Sequence, residues 1–352
     1  MTSARRFGKL AFAKQVSLGT AAAAPLFSVP MISGAINPVK DVADLPRQGG
    51  TMARLGRYVQ RARGEGTITT LCHPEALGLL LFYAMGTQVS QVGGPAPYSH
   101  TFTMSDDYPG DGMTFWSSIG PESSAISGSA WKFADTFIQR LQIMGKSGDN
   151  LVVELGITSF DYTAITTIPA VSGTGASAED DEPRFKYIGS EVSLSPNSNA
   201  WTQMDNSESV TFEIDRAPEY RYGPSLTPTV VAPDRMVNLT VGLTYDDALG
   251  GWDYLRAAYT GSITGTGPEQ SIAQGSANVK FGRHPSSVSR FLQITSNGYN
   301  WQYTTTRPDA EATPGIIEYE LNGILVSPNA AEGGSGDREV TVVLENDFSG
   351  DY

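Results

Sequence analysis

The sequence predicts a mainly β fold arranged as two domains, and three observations carry this. Several segments alternate apolar and polar residues with period two, as half-buried strands do. The chain holds 38 Gly and 21 Pro with only 17% charged residues, a turn-rich composition that favours sheet. Its 352 residues amount to about two domains, each long enough to bury a core.

In chain order, the first feature is charge. Residues 1–64 carry ten basic and two acidic side chains, +8, against −21 for the remainder and −13 overall. This reads as a basic N-terminal arm beside an acidic body. The first helix is expected at Pro74–Met85, with Pro in its first turn, a stripe of Leu77, Leu80, Leu81 and Ala84, and a stop at Gly86. Leu151–Ser159 puts Leu151, Val153, Leu155 and Ile157 on one face. Ser209–Asp215 sets Val210, Phe212 and Ile214 opposite Thr211, Glu213 and Asp215. Arg235–Tyr245 sets Val237, Leu239, Val241 and Leu243 opposite Asn238, Thr240 and Thr244. A second helix follows at Asp247–Tyr259, capped by Asp246 or Asp247, with Leu249, Trp252, Leu255 and Tyr259 as its apolar stripe and Gly261 as its end. Ile316–Val326 and Glu339–Glu345 alternate again. Such clean alternation implies antiparallel sheets with one wet face. Long loops are expected at Pro38–Arg63, Gly173–Pro183, Ala217–Asp234 and Ala330–Gly336, and a tail at Asn346–Tyr352.

A repeat links the halves. Thr67–Leu71 leads into Ala76-Leu77-Gly78, and Leu239–Leu243 leads into Ala248-Leu249-Gly250, at one offset of 172 residues. The shared order of strand, cap, short helix and Gly points to duplication, with a boundary in the Pro/Asn/Ser-rich stretch Ser195–Gln203. The division expected is an arm at 1–27, one domain at 28–198 and a second at 199–352 with the tail.

Composition and motifs exclude several functions. Cys72 is the only cysteine, and His73, His100 and His284 are dispersed, so no disulfide framework or sequence-local metal cluster is expected and no cofactor is implied. An acidic chain is a poor grip for phosphates. The longest apolar run, Ala76–Met85, is too short to cross a bilayer, and the stretch after Arg5-Arg6 lacks the apolar core of an export signal. Gly145-Lys146-Ser147 lacks the first glycine of a phosphate loop and reads as a hairpin turn. Gly173-Thr174-Gly175 does not open a helix, as a dinucleotide loop must. The carboxylate pairs Asp106/Asp107, Asp246/Asp247 and Glu318/Glu320 and the run Glu179–Glu182 read as turn, cap, wet strand face and exposed loop rather than as an acid/base pair. The five tryptophans, 116, 131, 201, 252 and 301, read as core or interface packing before a sugar groove.

The N-terminal run Lys9-Leu10-Ala11-Phe12-Ala13-Lys14-Gln15-Val16-Ser17-Leu18-Gly19-Thr20-Ala21-Ala22-Ala23-Ala24-Pro25 continues into Val29-Pro30-Met31. Gly64-Glu65-Gly66-Thr67-Ile68 precedes Pro74-Glu75-Ala76-Leu77-Gly78, and Tyr319-Glu320-Leu321-Asn322-Gly323 comes late in the chain. In this order the motifs resemble the tail tube proteins of long-tailed, non-contractile bacteriophages, with Gln15 where many members have Glu. The resemblance implies two tandem tail-tube β-sandwich domains, each with one short flanking helix, that add strands to a shared lumen β-barrel. It implies a structural subunit of the virion tail rather than an enzyme, assembled in the host cytoplasm with no membrane step. Copies would form trimeric, pseudo-sixfold rings (or hexamers) stacked head to tail, with a tape-measure protein inside, tail-end proteins at the tips and double-stranded DNA passing without sticking. Six domains giving four strands each make a 24-stranded barrel, ~48 Å across for strands ~4.8 Å apart tilted ~40°. Glu213, Asp215, Asn238, Thr240 and Thr244 are the candidates for the lumen wall, and Arg54, Arg57 and Arg61 for contact with an acidic face of the adjacent ring. The other readings weighed are a phage-associated β-sandwich adhesin or carbohydrate-binding module, and a two-domain β hydrolase.

Overall fold

Alternation at period two governs most of the chain, and the computed structural model turns it into one hydrogen-bonded network of 19 strands plus a two-stranded ribbon. The structure describes residues 8–44, 57–92, 96–107, 109–118, 130–172, 176–177, 184–187, 190–196, 201–216, 219–221, 229–231, 235–249, 251–267, 272–282, 290–296, 298, 300–305, 309–313, 316–327 and 338–352. Arg54, His284, the acidic run Glu179–Glu182, Gly173-Thr174-Gly175 and the loop expected at Ala330–Gly336 lie outside the described residues.

The first half contains β1 (Lys9–Lys14), β2 (Phe27–Asp44), β3 (Arg57–Leu71), α1 (Pro74–Met85), β4 (Gly86–Val92), β5 (Tyr98–Met104), β6 (Met113–Ser118), β7 (Ala130–Lys146), β8 (Val152–Ile165) and the short β9 (Ala176–Ser177). Then come β10 (Glu191–Pro196), β11 (Thr202–Gln203), β12 (Ser207–Asp215), the ribbon β13 (Glu219–Arg221) and β14 (Thr229–Val231), and β15 (Met236–Thr244). A 3-10 turn at Asp247–Leu249 leads into α2 (Gly251–Thr260). The chain closes with β16 (Ala273–Gly282), β17 (Phe291–Ser296), β18 (Trp301–Thr305), β19 (Asp309–Thr313), β20 (Ile316–Leu325) and β21 (Val340–Asn346).

Two antiparallel runs organise these strands. One runs β2–β3–β8–β7–β12–β15–β20, with β18 and β19 together on the outer side of β20. The other runs β4–β5–β21–β17–β16–β10–β11. Ile68, Leu155, Leu141, Phe212 and Leu239 from the first run share one buried cluster with Phe102, Val342, Leu292 and Val279 from the second, so the core lies between them. The halves interlock, since β21 from the end of the chain pairs with β5 near its start.

The segment expected as an arm contains β1, wedged between β2 and β6 with Leu10 and Phe12 fully buried. The Gly19–Ala22 motif that follows is pinned down. The Gly19 N–H donates to Asp135 Oδ1 at 2.7 Å and the Ala22 N–H to Thr114 Oγ1 at 2.9 Å.

The structure corrects several local expectations. Two segments read as loops contain paired strands. Pro38–Asp44 pairs with Arg57–Gly64, and Glu219–Arg221 with Thr229–Val231. The Asn346–Tyr352 tail is packed: Phe348 and Tyr352 are buried, and the Tyr352 hydroxyl donates to the Glu75 carbonyl at 3.0 Å. The 172-residue offset does not hold face for face, because Leu71 lies on the wet side of β3 while Leu243 is buried on β15. A one-residue shift moves a strand residue to the opposite face. α1 is buried nearly all round, with ten of its twelve residues in the core, because it is apolar on every side. Its C-cap Gly86 adopts φ 96°, as a left-handed helix stop requires. α2 differs from expectation. Its buried side is Tyr254, Leu255 and Ala257, while Trp252 and Tyr259 face outward.

Candidate functional site: the polar face of the long sheet

The eight strand positions of the β2-to-β18 run present one continuous polar face, because alternate residues of each strand point away from the core. The expected residues Glu213, Asp215, Asn238, Thr240 and Thr244 all lie on it. The register places Glu213 opposite Asn238, Thr211 opposite Thr240, and Asp215 opposite Met236. Glu213, Asn238 and Thr240 come together with Ile272, Gln302, Thr304, Asn322 and Ile324 around an open hollow of about 420 Å³. Thr240 Oγ1 donates to Asn322 Oδ1 at 3.0 Å. Thr244 lies further along, opposite Glu318, with its hydroxyl donating to Glu208 Oε1 at 3.2 Å.

Sequence reasoning missed the first half's share of this face. Thr67 and Thr69 of β3, Glu154 of β8, and Arg140 and Gln142 of β7 continue it by register. Alternation in Arg140, Gln142 and Met144 against Leu141 and Ile143 was the available signal. Arg140 sits where the halves meet. Its Nε donates to Glu213 Oε1, Nη1 to Glu154 Oε1 at 3.1 Å, and Nη2 to Gln142 Oε1 at 3.1 Å. The bond to Glu213 is the main reason its proton is held more tightly than usual. Each of its three nitrogens donates to an acceptor on the face, so its charge is engaged by two carboxylates and an amide. Around Arg140 the face is therefore rich in carboxylate, amide and hydroxyl groups, with Ile272 and Ile324 further along it, and this cation is occupied.

The two ends of the sheet differ in charge. β3 meets β8 at Leu71 and Val152, beside the β7–β8 turn, so Asp44 and Arg57 mark the opposite end. β12 runs from Lys146 towards Arg140 along β7, so its continuation into β13 and β14 points to that same opposite end. Of the expected contact residues, Arg57 is exposed at this end and Arg61 stands opposite Asp41 in β3. Arg63, next along, pairs with Asp41 at 3.4 Å and Glu65 at 2.7 Å. The turn end carries Asp149, Asp205, Glu208 and Glu318, all exposed, alongside Lys146.

The other candidates take structural roles. The Asp106 carboxylate receives Arg235 at 2.7 Å and Arg338 at 3.0 Å, and these bonds pull its pKa below the usual range. Asp111 lies 3.8 Å from Lys14. Asp246 Oδ1 accepts the Ala248 N–H at 2.9 Å, as a cap. Glu318 and Glu320 share the wet face of β20. Trp116 and Trp301 are core residues, and burial pushes the Cys72 thiol up, out of the reactive range.

A family model described as phage tail tube protein matches residues 8–348. No curated protein matches the chain.

Proposed function

We propose, because the chain belongs to the phage tail tube protein family, that three copies close into a ring whose lumen is the polar face, and that rings stack head to tail into a conduit for DNA. As a family member the chain is a structural subunit of the virion's tail tube. The ring, its stoichiometry, the long non-contractile tail, assembly in the host cytoplasm, the tape-measure protein inside and the tail-end proteins are part of the proposal.

One observation carries the ring. β7 changes neighbours along its length: Ala130–Thr136 faces β6, and Arg140–Lys146 faces β12. On β18, Trp301–Tyr303 faces β16, but among the described residues β19 has no partner besides β20. On β2, Phe27–Pro30 faces β1 and the Met31 N–H donates to the Gly8 carbonyl, while Ile32–Asp44 pairs with β3 alone among the described residues. The two open stretches stand at opposite edges of the sheet. β19 of one copy pairing with β2 of the next would continue it, as β12 continues β7. The repeated order β2–β3–β8–β7 and β12–β15–β20–β18 supports duplication, and three copies give the 24 strands of a closed barrel. Closure also removes edges that would otherwise invite irregular pairing.

The chemistry suits passage without adhesion. Phosphates are gripped by unpaired Lys and Arg, and Arg140 is already engaged. Replacing Glu213 and Asp215 by Lys is expected to slow genome ejection. Because Glu213 holds Arg140 and Asp215 stands opposite it, the melting temperature of each single variant is compared beside its ejection rate to separate lumen charge from stability. An unchanged ejection rate in both variants would remove these residues from the wall.

Stacking is a heterologous contact that propagates. The end marked by Asp44 and Arg57 would face the acidic turn end of the adjacent ring in this arrangement. Changing Arg54, Arg57 and Arg61 to Glu is expected to shorten or abolish tubes, more so at low salt; tubes of normal length from that variant would defeat it. The reading as a whole is tested by electron microscopy of concentrated protein. Tubes with a regular axial repeat and threefold symmetry support it, and particles that never polymerise overturn it.

A further inference from the structure

We infer that the outward face of α2 docks against the next copy of this chain in the ring, alongside the open β19 edge. This inference rests on the ring reading. Trp252, Arg256 and Tyr259 recur at i, i+4 and i+7, so they form one stripe on the helix. The Arg256 guanidinium lies 5.6 Å from the Trp252 ring. Trp252 is 51% exposed and Tyr259 53%. Single exposed apolar residues are ordinary, but a stripe of two aromatics and an arginine has the composition of an interface centre.

The internal junction indicates the occupant. α1 follows β3 and packs on β7, the strand that the second half extends. It is covered by β21 and by Tyr352, both from the far end of the chain. α2 follows β15 and packs on β18 and β16, and β18 lies with the open β19 on the outer side of β20. Whatever continues the sheet beyond β19 therefore lies near α2, as the second half lies beside α1. On the ring reading that neighbour is the β2 side of another copy. There Ile32, 44% exposed at a bulge in β2, offers an apolar group at the facing edge.

The test is the double variant Trp252→Glu with Tyr259→Glu, compared with wild type for its melting temperature and for the concentration at which tubes form. The expected result is an unchanged melting temperature and a rise of about tenfold or more in that concentration. Tubes at the wild-type concentration would overturn the inference while leaving the ring reading intact. Wild-type protein that forms no tubes would instead remove the ring reading, and this inference with it. Hydrogen exchange on wild-type tubes is an independent readout that needs no variant. Stronger protection of the Trp252–Thr260 amides in tubes than in free protein is expected, and equal protection overturns the docking.

Discussion

Replacing Trp301 by alanine is expected to cost about 3–5 kcal/mol of folding stability, read as a fall in the urea midpoint at equilibrium. Trp301 is fully buried and stacks on Tyr303 at 4.7 Å between ring centres. Its Nε1–H donates to the Leu239 carbonyl at 3.1 Å, tying β18 to β15. It stands where β18 pairs with both β16 and β20, opposite Gly275 and Leu325. Truncation would open a cavity and leave a buried carbonyl without this donor, two costs that add. Gly323 serves the same contact. A Cβ there would fall inside the Trp301 indole, so Gly323→Val is expected to cost about 1–3 kcal/mol by overpacking. A Trp301→Ala loss below about 1 kcal/mol would mean that this joint between the two runs is not where the core is tied.

The packed C-terminal segment is the second large effect. Tyr352→Ala is expected to cost about 3–5 kcal/mol, and adding Phe348→Ala less than a further equal amount, since the two rings touch. Tyr352 lies 4.8 Å from both the Phe348 and His100 rings. It covers Gly78, where a Cβ would overlap its ring. Its hydroxyl accepts from Asn346 Nδ2 at 2.6 Å, and its N–H donates to Gln88 Oε1 at 2.9 Å. Faster hydrogen exchange in α1 should accompany the loss, and unchanged exchange would mean that the segment holds nothing in place.

The same cluster gives a pH dependence with a definite sign. His100 Nε2 lies 3.0 Å from the Phe348 carbonyl, so it carries the proton, and Nδ1 accepts from Gln88 Nε2 at 3.2 Å. Burial lowers the His100 pKa, against the bonds to Phe348 and Asn346 and the charge of Asp351, which raise it. A neutral buried imidazole binds fewer protons than the unfolded chain. Its stabilisation is therefore whole above about pH 6.5 and falls as pH drops below that value. His100→Gln should flatten this part of the stability profile; an equally steep acid limb in that variant would place its origin elsewhere.

Much of the fold was legible because antiparallel strands with one wet face write their orientation locally. Val210, Phe212 and Ile214 against Thr211, Glu213 and Asp215 need no partner strand to be read. The stalk formed by Pro38–Asp44 and Arg57–Gly64 was illegible for the opposite reason. Val42 and Val59 face each other across it and are both exposed, so an apolar residue there does not mark a buried side. The sequence does not separate the two sides of α2, because an aromatic at helical spacing looks the same whether it is buried or faces outward.

The sequence by itself determined the β class, the faces of its cleanest strands and the family, since each depends on residues close together or on motifs in a set order. Tertiary structure alone decided that Asn346–Tyr352 closes over α1 in the other half, that Arg140 is engaged by Glu213 and Glu154, and which strands are left at the edges. These depend on contacts between residues as far apart as Glu75 and Tyr352, and period-two alternation says which way a side chain points without saying what it meets.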